Sequence, residues 1–505
     1  MRKILVKNSL SGLLQSVINM ALVFTVIPVF IRTLGIEYYG VFSLIIVIGN
    51  LNLFTNLGLT SSLIKFLAEQ GKIQESNYDI VVTFFITLIV LLPITLAAAY
   101  FNKFILLNML RIPPLFFKGA RILYLFLLSA NFLIILGQVF KAVLDSGQKI
   151  TTSNFIQISY NFIYWILILI ILLLGYGLPQ IGMAAFLSAF VWFIIITYKS
   201  LQYWGKLSLK GLQKNYIRIA KKQFFYGSKI YIGGVLGFLN DSLPRILISH
   251  FIGIQEVGFF DIAYRIKNQL WGGIEKIFYP LYPLLSSIKD NKKVRLIVHD
   301  IEQKIFIFII PITIIIIFTA KSFIQLWIGK DVEIITISVI YIVSAFMIGS
   351  ITVLPNYQFL IAKGHAGKTV IIQVSNIFIS TIIFLVTFKW IGYYAAILGT
   401  VSLVLSSFVL SLYYQKKYLN SLIFDSKTQI IKLIILTTIN VTIGYFLNLI
   451  ITSNWLNIII TPIILLLSTI LQYRYLKFFK VVDFEKYLGT RFTKKKIIKF
   501  FLIEN

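Results

Sequence analysis

The chain has no cysteine, and its 505 residues include only 3 histidines and 18 acidic side chains against 47 Lys and Arg. Without cysteine there are no disulfides, no thiolate metal sites and no cysteine nucleophile; the redox compartment stays open. The histidines, His250, His299 and His365, are scattered and carry no ligand spacing, so neither a metal nor a cofactor is expected. No loop gathers the acid, base or nucleophile of a hydrolytic site, so no catalytic residue is assigned. Charge as a whole is scarce: 13% of residues are charged and 58% are hydrophobic. That composition lies outside the range of soluble globular domains.

What fills the chain is long apolar runs. About 20 apolar residues cross the hydrocarbon core. Fourteen such stretches are present, near 8–31, 39–59, 79–101, 121–140, 154–174, 180–198, 224–250, 257–284, 301–320, 335–360, 370–388, 393–413, 430–450 and 455–473. The basic start MRKILVKNSLSG leads into a run that continues past Pro28 without a small-residue cleavage site, so it reads as a retained first span. With the N-terminus inside, 35 of the Lys and Arg fall in inner segments, 8 in outer segments and 4 within spans 7 and 8. This positive-inside bias places both termini in the cytoplasm. It also turns the +29 net charge into a topology signal rather than a sign of nucleic acid. Lys103, Arg111, Lys118 and Arg121 run against the bias around Pro113–Pro114, as an interfacial segment would. The basic loops and the tail, RFTKKKIIKFF included, are expected to lie on anionic inner-leaflet lipids.

Internal repeats set the expected architecture. The stretch from Leu34 to Phe42 matches that from Ile252 to Phe260, with paired glycines five apart in each, at an offset of 218. Phe104–Leu107 matches Phe323–Leu326 at 219, and Leu144–Lys149 lies opposite Ile361–Ala366 at 217. The repeat holds six spans, an even number, so its two copies insert in the same orientation. The expected fold is an all-α polytopic membrane protein of about 14 transmembrane helices. The expected division is an N-terminal six-helix lobe (1–200), a basic cytoplasmic linker (201–223), a C-terminal six-helix lobe (224–415), two additional helices (416–475) and a basic cytoplasmic tail (476–505).

The run from Arg32 to Gly40, RTLGIEYYG, resembles the R-x-L-G-x-x-x-Y-G signature of polysaccharide-biosynthesis flippases. These belong to the multidrug/oligosaccharidyl-lipid/polysaccharide (MOP) exporter superfamily. Asn56-Leu57-Gly58-Leu59 is similar to the family's D-L-G-L, with Asn in place of Asp. Asp241, Gly253, Val257-Gly258 and Ala263-Tyr264-Arg265 resemble its D…G…V-G-x-Y-x-x-A-x-R stretch, with Phe260 where Tyr is usual. The resemblance covers about residues 5 to 415. It implies lobes like those of the superfamily's multidrug exporters, and transport by alternating access. The implied cargo is an undecaprenyl-pyrophosphate-linked oligosaccharide, moved from the inner to the outer leaflet of a bacterial inner membrane. It also implies a monomer working beside a polysaccharide polymerase.

The hairpin of spans 7 and 8 carries charge where lipid disfavours it. Asp241, Arg245 and Ser249 share one helical face, as do Asp261, Arg265, Asn268, Gly272 and Glu275. At 1.5 Å per residue on antiparallel arms, Arg245 meets Asp261 at one depth and Asp241 meets Arg265 at another. Two readings stand together: cross-helix ion pairs that hold the hairpin, or arginines that line a cationic cavity and bind phosphate. Lys267 is a phosphate contact or snorkels to the interface. Arg32 and Lys65 border the cavity in the family pattern, or serve an external turn and an inner-surface anchor. Gln15, Asn19, Asn240, Tyr264, Asn268 and Trp271 offer sugar contacts or ordinary helix packing. Asp241, Asp261 and Glu275 are the candidates for ion pairing or proton and sodium coupling. Gly35, Gly40, Gly253 and Gly258 read as tight turns, Pro28 and Pro244 as hinges, and Gly233-x-x-x-Gly237 as a close helix approach.

Ala362–Thr369 fits a loose phosphate-loop pattern, but it joins two spans and lacks the strand and helix of a nucleotide-binding domain, so it is a coincidence. A cation-coupled multidrug exporter of the same superfamily is the alternative function, disfavoured by the surplus of Arg and Lys. A membrane polysaccharide polymerase or ligase is a third, disfavoured by the short outer loops.

Overall fold

The computed structural model describes residues 2–49, 58–205, 207, 212–278, 281, 285–286, 288, 290–329, 331–420 and 427–476. Among them there is no strand. The helices in chain order are α1 (Arg2–Leu34), α2 (Ile36–Gly49), α3 (Leu59–Gln70), α4 (Gln74–Tyr100), a π-helical segment (Phe104–Met109), α5 (Pro114–Ser146), α6 (Ile150–Leu173) and α7 (Leu178–Trp204). They continue with α8 (Leu212–Phe251), α9 (Ile254–Phe278), α10 (Asn291–Trp327), α11 (Val332–Ala362), α12 (Ala366–Ile391), α13 (Tyr394–Leu419), α14 (Lys427–Ile450) and α15 (Asn454–Tyr475).

Among the described residues eleven helices are long and apolar enough to cross a membrane, against the fourteen spans read from the sequence. The other three stretches fall on α2 with α3, on α8 and on α9. Residues 50–57, which join α2 to α3, lie outside the described set, and Asn56 with them. The α8–α9 pair is the charged hairpin, whose ionised side chains lower its apolarity. The apolar helices leave large side chains uncovered, such as Ile89, Phe378, Trp390, Leu449 and Trp455. In water such surface would associate; it is what lipid covers.

By packing, the chain forms two compact units, Met1–Asp261 with Leu385–Ala396, and Ile262–Phe384 with Ile397–Asn505. The division runs through α9. It reflects contact between helices, whereas the six-helix repeats are units of sequence. In the first unit Phe30 of α1 meets Tyr39 and Phe42 of α2, with ring centroids 5.6 and 5.0 Å apart. Trp192 of α7 lies against Gly137 of α5, where any Cβ would overlap its ring. In the second unit Val294 and Val298 of α10, Leu354, Phe359 and Leu360 of α11, Ile372 of α12, and Tyr414 and Leu419 of α13 form one buried apolar cluster.

Helix ends follow local chemistry. Gly35 takes φ +95°, which lets α2 follow α1 with this single residue between them. Asp290 caps α10 by accepting from the Lys292 amide at 2.8 Å. The third repeat match is one residue off the register that the structure shows. At the end of α5, Gln148 N donates to Asp145 O and Lys149 N to Leu144 O. At the end of α11, Gly364 N donates to Ile361 O and His365 N to Leu360 O. The two left-handed residues are Gln148 and Gly364, so the offset is 216 and not 217. The loose phosphate-loop pattern is this helix–turn–helix, with no strand before it.

Candidate functional site

The first unit holds half of the charged hairpin, packed on the first repeat. Asp261 of α9 is buried, and three contacts from two side chains fix it. Arg245 Nε of α8 donates to Oδ1 at 2.9 Å, and a second guanidinium nitrogen lies 2.9 Å from the same oxygen. Tyr39 of α2 donates its hydroxyl to Oδ2 at 2.7 Å. Arg245 also donates to the Asp241 carbonyl at 2.6 Å and lies 6.0 Å from the Phe260 ring. Arg245 and Asp261 are 6% and 3% exposed, so this ion pair is out of water. Of the two ion pairs read from helical spacing, Arg245–Asp261 is therefore present. Asp241 is exposed and belongs to the first unit; Arg265 is half-buried and belongs to the second.

The same contact explains the glycines of the paired signatures. Gly40 and Gly258 do not sit in turns; they lie inside α2 and α9. A Cβ on Gly40 would overlap the Ile254 carbonyl oxygen, and one on Gly258 would come 2.9 Å from the Ile36 carbonyl oxygen. Residues 36 and 254, like 40 and 258, are related by the repeat offset of 218. The two helices thus cross reciprocally, each glycine admitting the first carbonyl of the other helix. The turns are left to Gly35 and Gly253, which stand just before those helices. Gly233 and Gly237 do not mediate a close approach: among the described residues nothing lies within 4 Å of a Cβ built on either. The segment around Arg111 packs here as well. Arg111 donates to the His250 carbonyl at 3.1 Å, and Ser249 donates to the Leu110 carbonyl.

A second buried carboxylate of this unit escaped the sequence reading. Asp79 of α4 is wholly buried; Gln223 Nε2 of α8 donates to it at 3.2 Å and Lys222 Nζ at 3.5 Å. Ser62 of α3 donates in turn to Gln223 Oε1. Beside them a Cβ on Gly58 would overlap the Gly227 backbone of α8. Residues 212–223, which the sequence places in a loop, are helical, and their polar side chains tie α8 to α3 and α4. The available signal was Asp79 itself, an acidic residue at the edge of an apolar run.

In the second unit, Lys267 of α9 is 5% exposed. It donates to Asn268 Oδ1 at 2.8 Å, and its ammonium lies 4.2 Å from the Tyr264 ring centroid and 4.1 Å from that of Phe346 on α11. Trp271 stands edge-on to Phe346 at 5.6 Å. A cation over ring faces is stabilised by their quadrupoles. This corrects the snorkelling alternative: Lys267 turns inward to an aromatic box. Phe346, about 80 residues away in sequence, carried no signal of its own.

The remaining candidates are dispersed. Gln15 and Asn19 are half-buried on α1, and Arg32 is exposed at its end. Lys65 pairs with Glu69 at 3.8 Å along α3. Asn240 donates to the Leu236 carbonyl of its own helix, and Asn268 and Glu275 are exposed on α9. Pro28 and Pro244 are buried inside α1 and α8. Pro280 and Pro283 and the tail beyond residue 476 lie outside the described residues.

The profile of the polysaccharide biosynthesis protein family matches residues 5–289, more than half of the chain and all of the charged hairpin. The chain belongs to this family. A Shigella flexneri protein, provisionally named an O-antigen transporter, is 22% identical over 398 residues, which is 74% of this chain and 88% of that protein. Among solved structures, the lipid II flippase MurJ in an inward closed conformation covers 95% of this chain and 99% of its own, with TM-score 0.70 and 16% identity. An inward-facing multidrug resistance MATE transporter of the MOP superfamily covers 80% and 94%, with TM-score 0.64 and 15% identity. At such identities the structures show a shared fold. These relatives are transporters, and the apolar helices of the described residues fit a multi-pass membrane protein like them.

Proposed function

We propose that the protein is a flippase for undecaprenyl-pyrophosphate-linked oligosaccharide repeat units, moving them from the inner to the outer leaflet of the bacterial inner membrane by alternating access. Both termini are cytoplasmic in this reading, and the basic loops and tail rest on anionic lipids. The observation that carries it is Lys267, a buried ammonium on the family-matched hairpin, held by an amide oxygen and two ring faces. The pyrophosphate is the part of such a lipid that most resists crossing hydrocarbon. The preplaced ammonium of Lys267 replaces part of the lost hydration with charge-assisted hydrogen bonds, and Arg265, on another face of the same helix, is a second candidate contact. Tyr264, Asn268 and Trp271 add the hydroxyl, amide and aromatic faces that sugars stack on and bond to. Arg245 is already engaged by Asp261, so it binds phosphate only in a state where that carboxylate lets go; in the closed pair it braces the hairpin.

Deleting the gene tests this reading in the cell. Lipid-linked repeat units are expected to accumulate with their sugars facing the cytoplasm, and the full-length chain restores export. Unchanged lipid intermediates together with altered drug sensitivity would instead support the multidrug-exporter alternative.

A further inference from the structure

Glu302 of α10 is 0% exposed and takes no part in the phosphate-binding reading. Gln415 Nε2 of α13 donates to its Oε2 at 2.7 Å, and Asn356 Nδ2 of α11 to its Oε1 at 3.3 Å. Asn356 Nδ2 also faces Gln415 Oε1 at 3.3 Å and the Thr352 carbonyl at 3.0 Å. Asn356 and Gln415 are likewise 0% exposed. Two oxygens of α11, Asn356 Oδ1 and Thr352 Oγ1, are buried with no hydrogen-bond partner among the described residues.

The charges around this cluster are engaged elsewhere or exposed. On α10, Lys304 pairs with Asp300 at 2.9 Å, and His299 bonds Gln303 at 2.6 Å. On α11, Lys363 donates to the Ile288 carbonyl, and Tyr357 is half-buried. Lys368 of α12 lies 5.9 Å from the Tyr414 ring. Lys416 and Lys417 of α13, Arg474 of α15 and Glu275 of α9 are exposed; Lys432 of α14 is half-buried, and Tyr473 of α15 donates to the Ile307 carbonyl. Among the described residues Glu302 forms no ion pair.

An ionised carboxylate this deep, held by neutral amides alone, is costly unless its charge is neutralised. A metal cation would have to face the two amide NH2 groups that already sit on the carboxyl oxygens, whereas a proton on the carboxyl requires only one of those amides to turn its oxygen inward. We propose that Glu302 is a proton-binding site, and that its protonation couples a proton to the transport cycle. The coupling rests on the transport reading above; the proton binding does not. The ionised carboxylate accepts from both amides. Once a proton arrives from water, the carboxylic acid donates its O–H, so Asn356 or Gln415 must turn its carbonyl oxygen inward. Protonation therefore exchanges one hydrogen-bonded link between α10, α11 and α13 for another, which is the property a switch needs.

The test uses the full chain in lipid nanodiscs. Infrared difference spectra between low and high pH are expected to show a carboxylic-acid C=O band that is lost as pH rises and is missing from Glu302→Gln. If that variant fails to insert, Glu302→Asp serves: a displaced band supports the assignment and an unmoved band overturns it. Identical wild-type and Glu302→Gln spectra, or a change driven by sodium at constant pH, also overturn it. In proteoliposomes an imposed pH gradient is expected to change the rate of lipid-linked oligosaccharide movement about 10-fold, and Glu302→Gln removes that response; a retained response overturns the coupling. If the wild type moves no such lipid, the transport reading fails while the spectroscopic result still decides proton binding.

Discussion

Asp261→Ala is expected to destabilise the protein by about 3–5 kcal/mol, because it leaves the Arg245 guanidinium buried with its main partner gone. A surface ion pair would lose at most about 1 kcal/mol. The geometry sets this pair apart: two guanidinium contacts at 2.9 Å, a third bond from Tyr39, and both partners shielded from water. The compensating experiment is Arg245→Met with Asp261→Leu. Replacing both charges by apolar groups of similar volume recovers most of the loss, since the desolvation of both ions disappears with them. Tyr39 then lacks its acceptor, at about 1 kcal/mol, and adding Tyr39→Phe removes that residue of cost. Thermal unfolding in detergent checks the series. A single Asp261→Ala variant as stable as wild type would mean that the pair is not closed in the folded protein.

Gly40→Ala is expected to cost more than about 3 kcal/mol, above the usual range for overpacking, and to exceed the effect of Gly258→Ala. The repeat makes these glycines equivalents, yet their surroundings differ. The new methyl on Gly40 overlaps a backbone carbonyl of α9 and lies 3.3 Å from the Gly258 amide, so no side chain can yield. The methyl on Gly258 meets the Ile36 carbonyl at 2.9 Å and the flexible Ile36 side chain at 3.0 Å, so part of the strain is relieved by a rotamer change. About 1–3 kcal/mol is expected there. Because both act on one helix crossing, the double variant costs less than the sum. Folded yield and unfolding temperature measure the order; a Gly258→Ala effect equal to or above that of Gly40→Ala contradicts it.

The apolar spans were legible because lipid imposes one periodicity-free rule, length without charge. The Arg245–Asp261 pair was legible because rise per residue on two antiparallel arms is simple geometry. Tyr39 was not: it sits in a signature read as a turn, and only the helical conformation of α2 aims its hydroxyl at Asp261. The same error made turns of Gly40 and Gly258, since a glycine serving a helix crossing looks like one serving a turn until its partner backbone is known. The one-residue slip at the third repeat has a similar origin. The register there is set by which residue takes positive φ, Gln148 in one copy and Gly364 in the other, and two such different side chains do not align by type. Phe346 against Lys267, Gln223 against Asp79, and Asn356 with Gln415 against Glu302 are long-range pairs. Each partner lies in or beside an ordinary apolar run, where nothing local announces it.

The most direct test is the transbilayer movement of a purified pyrophosphate-linked oligosaccharide in proteoliposomes, wild type against Lys267→Ala and Lys267→Arg, each checked for normal insertion. The account predicts a loss of roughly 30-fold or more for Lys267→Ala, as removal of a buried charged contact implies, with substantial activity retained by Lys267→Arg. Movement by Lys267→Ala at the wild-type rate would contradict it.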